Sequence, residues 1–329
     1  MIFQNIDFHN VAEMTREEDG WKMWRIPQSV RERMNDGLRN RTAAYSTGVE
    51  LRFRLVDESA DIDLCALPAE EAQVAYIFYG SIQGGWQHSS RIIGTERTRL
   101  HVERPANSEA LKRISQEMGL PFDPEVIRIV LPYGTCLYLG VQGAVEQPRA
   151  EDLPGQVYLA YGSSITHGSL ALAGPYTYPF RVAQKLKCDY LNLGFAGTAY
   201  LEREMAEYIV SRKDWDFATF EMGINMLEGF TEEQFETRVR EFTDVLASEK
   251  RMVCLTSIYG YTGENQEKAQ RFREIVRHYA QGRFPFLDGL ELLDHPAFVS
   301  QDQVHPTLEG IEQIASGWSE FLLPLLSNR

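Results

Sequence analysis

The sequence predicts a chain in two parts, an N-terminal β-sandwich followed by a doubly wound α/β domain. From about residue 45 to 145, apolar and polar residues alternate with period two, as they do in strands that bury one face. After about residue 150, short apolar runs alternate with helical patterns, which is typical of a parallel sheet covered by helices. The 329 residues are enough for two domains, and we place these at 1–150 and 151–329.

In the N-terminal part, Leu51, Phe53 and Leu55 alternate with two arginines, which predicts a strand with one apolar face. Turn-forming clusters separate this run from several others that are rich in β-branched and aromatic residues. Many short strands with few helical stretches argue for a sandwich of the jelly-roll kind. The further predicted strands are 61–64, 74–80, 98–103, 126–132 and 135–143.

In the C-terminal part, the run 156–162 is short and nearly all apolar, so we expect a strand buried on both faces of a parallel sheet. Thr231 and Gln234 form a capping-box pattern that predicts the start of a helix. In such a sheet a functional site lies in the loops beyond the carboxyl ends of the strands. The other predicted strands are 189–195, 217–223, 251–260 and 285–287, and the other predicted helices begin at Pro179, near 201, near 265 and at Thr307.

The composition, with 43% hydrophobic and 24% charged residues, is ordinary for a globular protein. The net charge of −14 predicts a surface that repels nucleic acid and anionic lipid, so neither is expected as a partner. No apolar run reaches 18 residues, and the N-terminus lacks the pattern of a signal peptide. The four cysteines have no CxxC spacing, which predicts buried thiols and a cytoplasmic location.

Two segments carry candidate catalytic residues. Ser163 and Ser164 follow Gly162, where the chain leaves the first strand of the α/β part, so a serine here can present its hydroxyl and its backbone N–H to a reacting carbonyl. Asp302 precedes His305 by three residues, just before the last predicted helix. A carboxylate at this offset can fix the tautomer of the imidazole, which leaves the other ring nitrogen free to act as a base.

Two further segments offer hydrogen-bond donors. Gly197 follows the second α/β strand, and its backbone N–H can approach a ligand oxygen closely because glycine has no Cβ. Asn225 follows the third strand, and its side-chain amide can donate to an oxyanion. Taken singly, each of the four segments has a plain alternative, namely a serine-rich turn, an acidic loop, a turn glycine or an Asx-turn. Their order and their shared position in post-strand loops favour a functional site.

Together these segments resemble the four blocks of the SGNH, or GDSL-type, hydrolase superfamily, which supply Ser, Gly, Asn and His in that chain order. The resemblance covers residues 155–329 and implies a flavodoxin-like hydrolase domain that needs no metal or cofactor. It implies Ser164, Asp302 and His305 as a catalytic triad, and the Ser164 N–H, the Gly197 N–H and the Asn225 side chain as the oxyanion hole.

The sequence departs from the superfamily pattern at two positions. Ser163 stands where the usual GDS triplet has aspartate, and Met226 stands where an aspartate often follows the asparagine. Neither position carries the chemistry in the family, so the expected roles are unaffected. The Gly-Ser-Ser-Ile-Thr form at 162–166, preceded by a β-rich half and the run 24–27, is more similar to the carbohydrate-deacetylating and acyl-transferring branches than to typical lipases.

We therefore expect a serine esterase that hydrolyses short acyl esters, with an acetylated sugar or small glycan as the favoured substrate. Tyr176, Tyr178 and Tyr200 lie in or near the site loops, where they can either stack on a sugar ring or pack in the core. An acyltransferase with the same triad and a non-catalytic carbohydrate-binding protein remain as alternatives. Similarity to superfamily members with additional domains favours a homo-oligomer.

Other residues near these segments receive structural interpretations. His295, in the sequence Asp294-His295-Pro296, lacks the three-residue offset and is interpreted as a loop residue. His167 follows Ser164 closely and is interpreted as a surface residue at the start of a helix. Phe220 and Met222 are expected in the core.

Overall fold

The N-terminal part of the fold is built mainly from antiparallel strands, in a computed structural model that describes residues 1–69 and 71–327. Its helices are short apart from one of 11 residues. In chain order the elements are β1 (Ile2–Phe3), β2 (Ile6–His9), β3 (Glu13–Arg16), β4 (Trp21–Trp24), α1 (Gln28–Arg31), α2 (Asp36–Asn40), β5 (Glu50–Leu55), β6 (Ser59–Ala66), β7 (Val74–Tyr79), β8 (Ile82–Gln83), β9 (Ser90–Ile92), β10 (Thr98–Glu103), α3 (Ser108–Met118), β11 (Ile127–Val130), β12 (Cys136–Gln142) and β13 (Val145–Glu146).

These strands form two sheets that share one core. The first sheet has the order β1-β2-β5-β11-β7-β8, with β13 beside β5 and β9 beside β7, and the second has the order β10-β6-β12-β4-β3. Leu51 and Ile129 of the first sheet are buried in the same cluster as Leu64 and Tyr138 of the second. The predicted sandwich is thus present, and its shared core explains the period-two alternation of the sequence.

The C-terminal part is a parallel sheet with helices on both faces. The elements are β14 (Val157–Gly162), α4 (Ser164–His167), α5 (Tyr178–Leu186), β15 (Asp189–Gly194), α6 (Arg203–Ser211), β16 (Phe217–Glu221), α7 (Glu232–Leu246), β17 (Met252–Thr256), α8 (Gln266–Ala280), β18 (Phe286–Leu287), α9 (Gly289–Leu292) and α10 (Leu308–Ser327). The strand order β15-β14-β16-β17-β18 is the 2-1-3-4-5 order of flavodoxin-like folds, so the predicted fold class is confirmed. Helices α6, α7 and α8 cover one face, and α5 and α10 cover the other.

The N-terminal part binds the outer edge of β15 through side chains. The carbonyl of Tyr190 lies 2.6 Å from His9 Nε2, and the carbonyl of Asn192 accepts from Asn10 Nδ2 at 2.9 Å. Arg25, which is fully buried, donates to the carbonyls of Asn192 and Gly194 at 3.0 and 2.8 Å. Three alternate carbonyls along the strand, which β14 on the other side cannot reach, therefore have partners from outside the sheet.

A buried ion cluster also joins the two parts. Arg52 donates both terminal nitrogens to Asp189, at 2.6 and 2.7 Å, and its Nε to Glu50 at 2.8 Å. Arg128 donates two further hydrogen bonds to Glu50, at 2.7 and 2.8 Å. All four side chains are buried, so two cations and two anions compensate one another out of contact with water.

Most predicted elements of the α/β part match the structure. The capping box at Thr231 is present, since Gln234 N donates to the Thr231 hydroxyl and Thr231 N donates to the Gln234 side chain. The predicted strand 251–260 is too long, because the chain leaves the sheet after Thr256 and Gly260 N donates to Leu293 O instead. Strands also occupy 2–24, ahead of the predicted range. Within residues 1–69 and 71–327, no helix combines the length and the apolar character needed to cross a membrane.

Candidate active site

The turn after β14 places Ser164 at the first position of the short helix α4. Ser163 caps this helix, because its hydroxyl accepts from Ile165 N at 3.1 Å and its carbonyl accepts from His167 N at 2.9 Å. Ser164 itself is 8% exposed. The serine thus stands where the strand ends, held by a capped turn, with part of its surface open to solvent.

Hydrogen bonds join Ser164, His305 and Asp302 in one line. His305 Nε2 lies 2.7 Å from Ser164 Oγ, and His305 Nδ1 lies 2.7 Å from Asp302 Oδ2. Because the carboxylate can only accept, Nδ1 carries the proton and the lone pair of Nε2 faces the serine hydroxyl. Residues 141 positions apart in the sequence are thereby placed in the arrangement that makes a serine hydroxyl nucleophilic.

The Asp302 carboxylate accepts an unusual number of hydrogen bonds. Oδ1 accepts from the backbone N–H groups of Val304 and His305, both at 2.9 Å, and from the Ser300 hydroxyl at 2.7 Å. Partial burial on its own would raise the pKa of Asp302, but these bonds and the bond from the His305 ring outweigh it and hold the pKa well below the ordinary value. Asp302 therefore remains an anion beside the imidazole throughout the neutral and mildly acidic range.

Gly197 and Asn225 lie in the loops that follow the two strands beside β14. Gly197 has φ +69°, a left-handed conformation, and open space surrounds the position where a Cβ would stand. The Asn225 Oδ1 atom accepts from Ala199 N at 3.1 Å, so these two loops are tied together and the amide NH2 of Asn225 is the group left for a ligand. Because β14 pairs with both β15 and β16, all three loops open at the same edge of the sheet.

A buried glutamate, which the sequence did not predict as a site residue, lies under the turn that carries Ser164. Glu221 Oε2 accepts from Ser163 N at 2.8 Å, from the Ser163 hydroxyl at 2.9 Å and from the Thr166 hydroxyl at 2.8 Å. Ser163, which replaces the usual aspartate, is thus bound by a carboxylate from the neighbouring strand β16. A charged residue within the run 217–222, which is otherwise apolar except for Thr219, was the signal available in the sequence.

The interpretation of His167 as a surface residue is wrong. Its side chain is fully buried, between the rings of Tyr45 and Tyr133 from the N-terminal part. Burial, aided by the nearby Arg25 cation, lowers the pKa of His167 to about 3, so the ring is neutral. His167 Nδ1 lies 2.9 Å from the Gly194 carbonyl, which indicates a packing role next to the loop that carries Gly197.

The three tyrosines considered for sugar stacking have different surroundings. Tyr178 is 1% exposed and bonded to the Thr166 hydroxyl at 2.8 Å, so it packs in the core and cannot stack on a ligand. Tyr176 packs against Tyr76 of the N-terminal sandwich. Tyr200 is partly exposed and contacts Phe230, which leaves it as the candidate for substrate contact. Phe220 and Met222 are fully buried, as expected.

Comparisons with known proteins find a related family domain in the α/β half. Residues 160–312 match the GDSL-like lipase/acylhydrolase family model. A comparison with curated proteins gives no match. Among solved structures, a salicylyl-acyltransferase from a tetracycline biosynthetic pathway aligns with 98% of this chain and 95% of its own, at 16% identity and a TM-score of 0.77.

Two carbohydrate esterases have a similar fold along their whole length. A family two carbohydrate esterase from Clostridium thermocellum aligns over 98% of this chain and 99% of its own, at 10% identity and a TM-score of 0.59. An acetyl xylan esterase from Butyrivibrio proteoclasticus aligns over 99% and 97%, at 11% identity and a TM-score of 0.57. At these identities the likeness concerns the fold, in which a β-rich half precedes the α/β half. The chain thus carries a GDSL-like lipase/acylhydrolase domain over residues 160–312, and this match together with the likeness in fold supports the predicted SGNH resemblance.

Proposed function

We propose that this protein is a serine esterase that cleaves short acyl esters through Ser164, with His305 as its base and Asp302 as the orienting carboxylate. The observation that carries the proposal is the pair of 2.7 Å hydrogen bonds on the two nitrogens of His305, one to Ser164 Oγ and one to Asp302 Oδ2. A histidine with this pair of partners can remove the serine proton and is stabilised once it becomes a cation.

In the first half of the reaction, Ser164 Oγ attacks the ester carbonyl while His305 Nε2 takes the hydroxyl proton. The C–O bond to the leaving alcohol then breaks, His305 returns the proton to that alcohol, and an acyl-serine ester remains. In the second half, water attacks the acyl-serine with His305 again as the base, and the carboxylic acid leaves. Asp302 keeps Nδ1 protonated and balances the charge of the imidazolium at each stage.

The negative charge on the carbonyl oxygen needs donors while each tetrahedral intermediate exists. We assign this role to the backbone N–H groups of Ser164 and Gly197 and to the side-chain amide of Asn225. Their common position at one edge of the sheet and the left-handed conformation of Gly197 support the assignment.

An acetylated carbohydrate is the substrate that we favour. Asp302 and His305 have side chains that are 43% and 25% exposed, so the base stands in a loop open to solvent, which suits a polar substrate. Two proteins with the same two-part fold are carbohydrate esterases, one of them an acetyl xylan esterase. Tyr200 supplies a partly exposed ring on which a sugar can stack.

The test compares 4-nitrophenyl acetate hydrolysis by the wild-type protein and by Ser164→Ala. Turnover should fall on the order of 10⁶-fold in the variant, and mass spectrometry of the wild-type protein should find a trapped acetyl group on Ser164. Release of acetate from acetylated xylo-oligosaccharides would then test the substrate class. Hydrolysis that survives in Ser164→Ala would contradict the assignment, and glycan binding without turnover would favour a carbohydrate-binding protein.

An acyltransferase is the second candidate function, supported by the TM-score of 0.77 with a salicylyl-acyltransferase. The chemistry is the same up to the acyl-serine, and an alcohol then replaces water as the second nucleophile. Adding candidate alcohols to the assay and measuring new esters against free acid separates the two. A yield of new ester that exceeds the yield of acid at low alcohol concentration would favour the transferase.

A further inference from the structure

We propose that Glu221 is a positioning residue for the reaction, which holds the turn that carries Ser164 and acts through Ser163. The inference rests on the proposed role of Ser164 as the nucleophile. It assigns a function to a buried carboxylate that takes no part in the proton transfers described above.

One oxygen of Glu221 binds residues 162–167, the turn that carries Ser164 (here the nucleophile turn), at three points. Oε2 accepts the Ser163 N–H at 2.8 Å, the Ser163 hydroxyl at 2.9 Å and the Thr166 hydroxyl at 2.8 Å. A Cβ at position 162 would overlap both this oxygen and the Thr166 hydroxyl, so glycine at the end of β14 is what lets the carboxylate reach the turn. The three donors come from both sides of Ser164 in the sequence.

These bonds fix the peptide that joins Ser163 to Ser164. Glu221 holds the nitrogen and the hydroxyl of Ser163, and His167 N holds its carbonyl at 2.9 Å. The orientation of that peptide determines where the Ser164 N–H points and where Ser164 Oγ stands relative to His305. A shift of this peptide would displace the nucleophile and one oxyanion donor together.

Glu221 lies in apolar surroundings, where a carboxylate is explained only by a need for its charge or its acceptor oxygen. It is 3% exposed, and its neighbours on β16 and in the loop that follows, Phe220 and Met222, are apolar core residues. Its second oxygen, Oε1, has no hydrogen-bond partner within residues 1–69 and 71–327. Burial raises the pKa of Glu221 in spite of the bonds from Ser163 and Thr166. Burying an apolar side chain at this position would cost less free energy than burying a carboxylate. A need of the turn for an acceptor oxygen explains why glutamate stands there.

Buried hydroxyl groups next to Glu221 donate their hydrogen bonds in the direction of its carboxylate. Since the Thr166 hydroxyl donates to the carboxylate, it accepts from the Tyr178 hydroxyl, which lies 2.8 Å away. Tyr259 packs against Tyr178 and accepts from Trp318 Nε1 at 3.3 Å. Burial holds the pKa of both tyrosines well above the ordinary value, so they remain neutral donors. The carboxylate is thus the acceptor at the end of a buried network.

The test compares Glu221→Gln with Thr219→Val, a matched control two residues earlier on β16. Thr219 is also fully buried, and its hydroxyl bonds to Tyr158, away from the nucleophile turn. Glu221→Gln replaces an anionic acceptor with a neutral amide and so weakens three buried hydrogen bonds, and Thr219→Val loses one, so both variants should show a lower melting temperature. Only Glu221→Gln should lower kcat for 4-nitrophenyl acetate, by about 10- to 100-fold with KM nearly unchanged, since the displaced groups act on the reacting carbonyl.

Ser163→Ala provides a second variant in case Glu221→Gln folds poorly. It removes the hydroxyl that bonds to Glu221 and leaves the backbone N–H in place, so kcat should fall by less than in Glu221→Gln. Combined with Glu221→Gln it should add little further loss of kcat, because both substitutions weaken the hydrogen bonds between Glu221 and Ser163.

The proposal on Glu221 is wrong if Glu221→Gln keeps the kcat of Thr219→Val, or if its losses and those of Ser163→Ala are fully additive. Ser164→Ala is measured alongside. If Ser164→Ala remains active, the proposed function fails. If it is inactive while Glu221→Gln is fully active, only the role of Glu221 fails.

Discussion

Both carboxylate oxygens of Asp302 bind His305, Oδ1 through the backbone N–H at 2.9 Å and Oδ2 through ring Nδ1 at 2.7 Å. The carboxylate thus fixes both the main chain and the imidazole of one residue three positions along the chain. The turn is closed further by Ser300 N, which donates to His305 O at 2.8 Å. The proposed base and its orienting carboxylate therefore belong to one small loop and keep their mutual geometry if that loop moves.

Asp302→Asn should lower kcat by roughly 10³- to 10⁴-fold, because an amide can offer N–H to Nδ1 and stabilise the wrong tautomer. The measurement is kcat for 4-nitrophenyl acetate at neutral pH. Asp294→Asn is the matched control, since Asp294 is exposed and precedes His295 in the sequence that resembles the catalytic pair. Equal activities for the two variants would remove Asp302 from the mechanism.

Asn225→Ala should lower kcat by about 10²- to 10³-fold with a small change in KM, since it removes one oxyanion donor. Asn225→Asp keeps the oxygen that accepts from Ala199 N and loses the donor, so it should fold like the wild type and be at least as inactive. Full activity of Asn225→Asp would mean that the side chain only ties the loops together.

Gly197→Ala and Gly282→Ala form a pair that separates stability from catalysis. The two glycines have φ of +69° and +71°, and each has open space where a Cβ would be placed. Both substitutions should cost about 1 kcal/mol of unfolding free energy, measured by urea denaturation. Only Gly197→Ala should also lower kcat, because relaxation of its backbone turns the N–H away from the oxyanion. Equal kcat values for Gly197→Ala and Gly282→Ala would argue against the Gly197 N–H as a hydrogen-bond donor to the oxyanion.

The buried ion cluster should make the stability of the protein depend on pH in the acid range. Burial alone would raise the pKa of Glu50, but Arg128 and Arg52 lower it from 4.5 to about 2, and Arg52 holds the pKa of Asp189 well below its ordinary value. The unfolded chain therefore takes up protons before the folded one. The stabilisation is present above about pH 4.5 and is lost as the pH falls toward 2.

Asp189→Asn tests this cluster, because it leaves the Arg52 cation without one of its anions. At pH 7 it should reduce the unfolding free energy by roughly 3–5 kcal/mol, and the difference from the wild type should narrow toward pH 2. Asp244→Asn, which breaks the exposed pair with Arg283, should change the stability by less than about 1 kcal/mol at either pH. A difference in unfolding free energy between Asp189→Asn and the wild type that stays constant across the pH range would contradict the proposed link between the ion cluster and acid stability.

The sequence predicted those features that depend on local pattern. Continuous apolar runs such as 156–162 identified buried parallel strands, and the Thr231 capping box identified a helix start. Both features are patterns of residue type over a few adjacent positions. The spacing of Asp302 and His305 likewise reflects one loop. The domain boundary at 150, the cytoplasmic location and the homo-oligomer remain predictions.

The sequence did not predict contacts between distant segments. His167 is buried because Tyr45 and Tyr133 of the other half of the chain pack on it, and nothing near position 167 encodes that. Within the described residues 1–69 and 71–327, the buried Arg25 has no carboxylate among its hydrogen-bond partners and donates to the backbone carbonyls of Thr42, Asn192 and Gly194. Such contacts depend on how two sheets are packed, which periodicity does not report.

The side chains of His9, Asn10 and Arg25 along β15 have a consequence for solubility. β15 is the last strand on its side of the parallel sheet, and a bare edge of this kind is a template on which further chains can add as strands. Here its outward carbonyls are already taken by side chains, which cannot propagate a sheet. The sandwich therefore protects the α/β half from edge-to-edge aggregation. An α/β half released from the sandwich would lose that protection and still contain all three residues of the proposed triad.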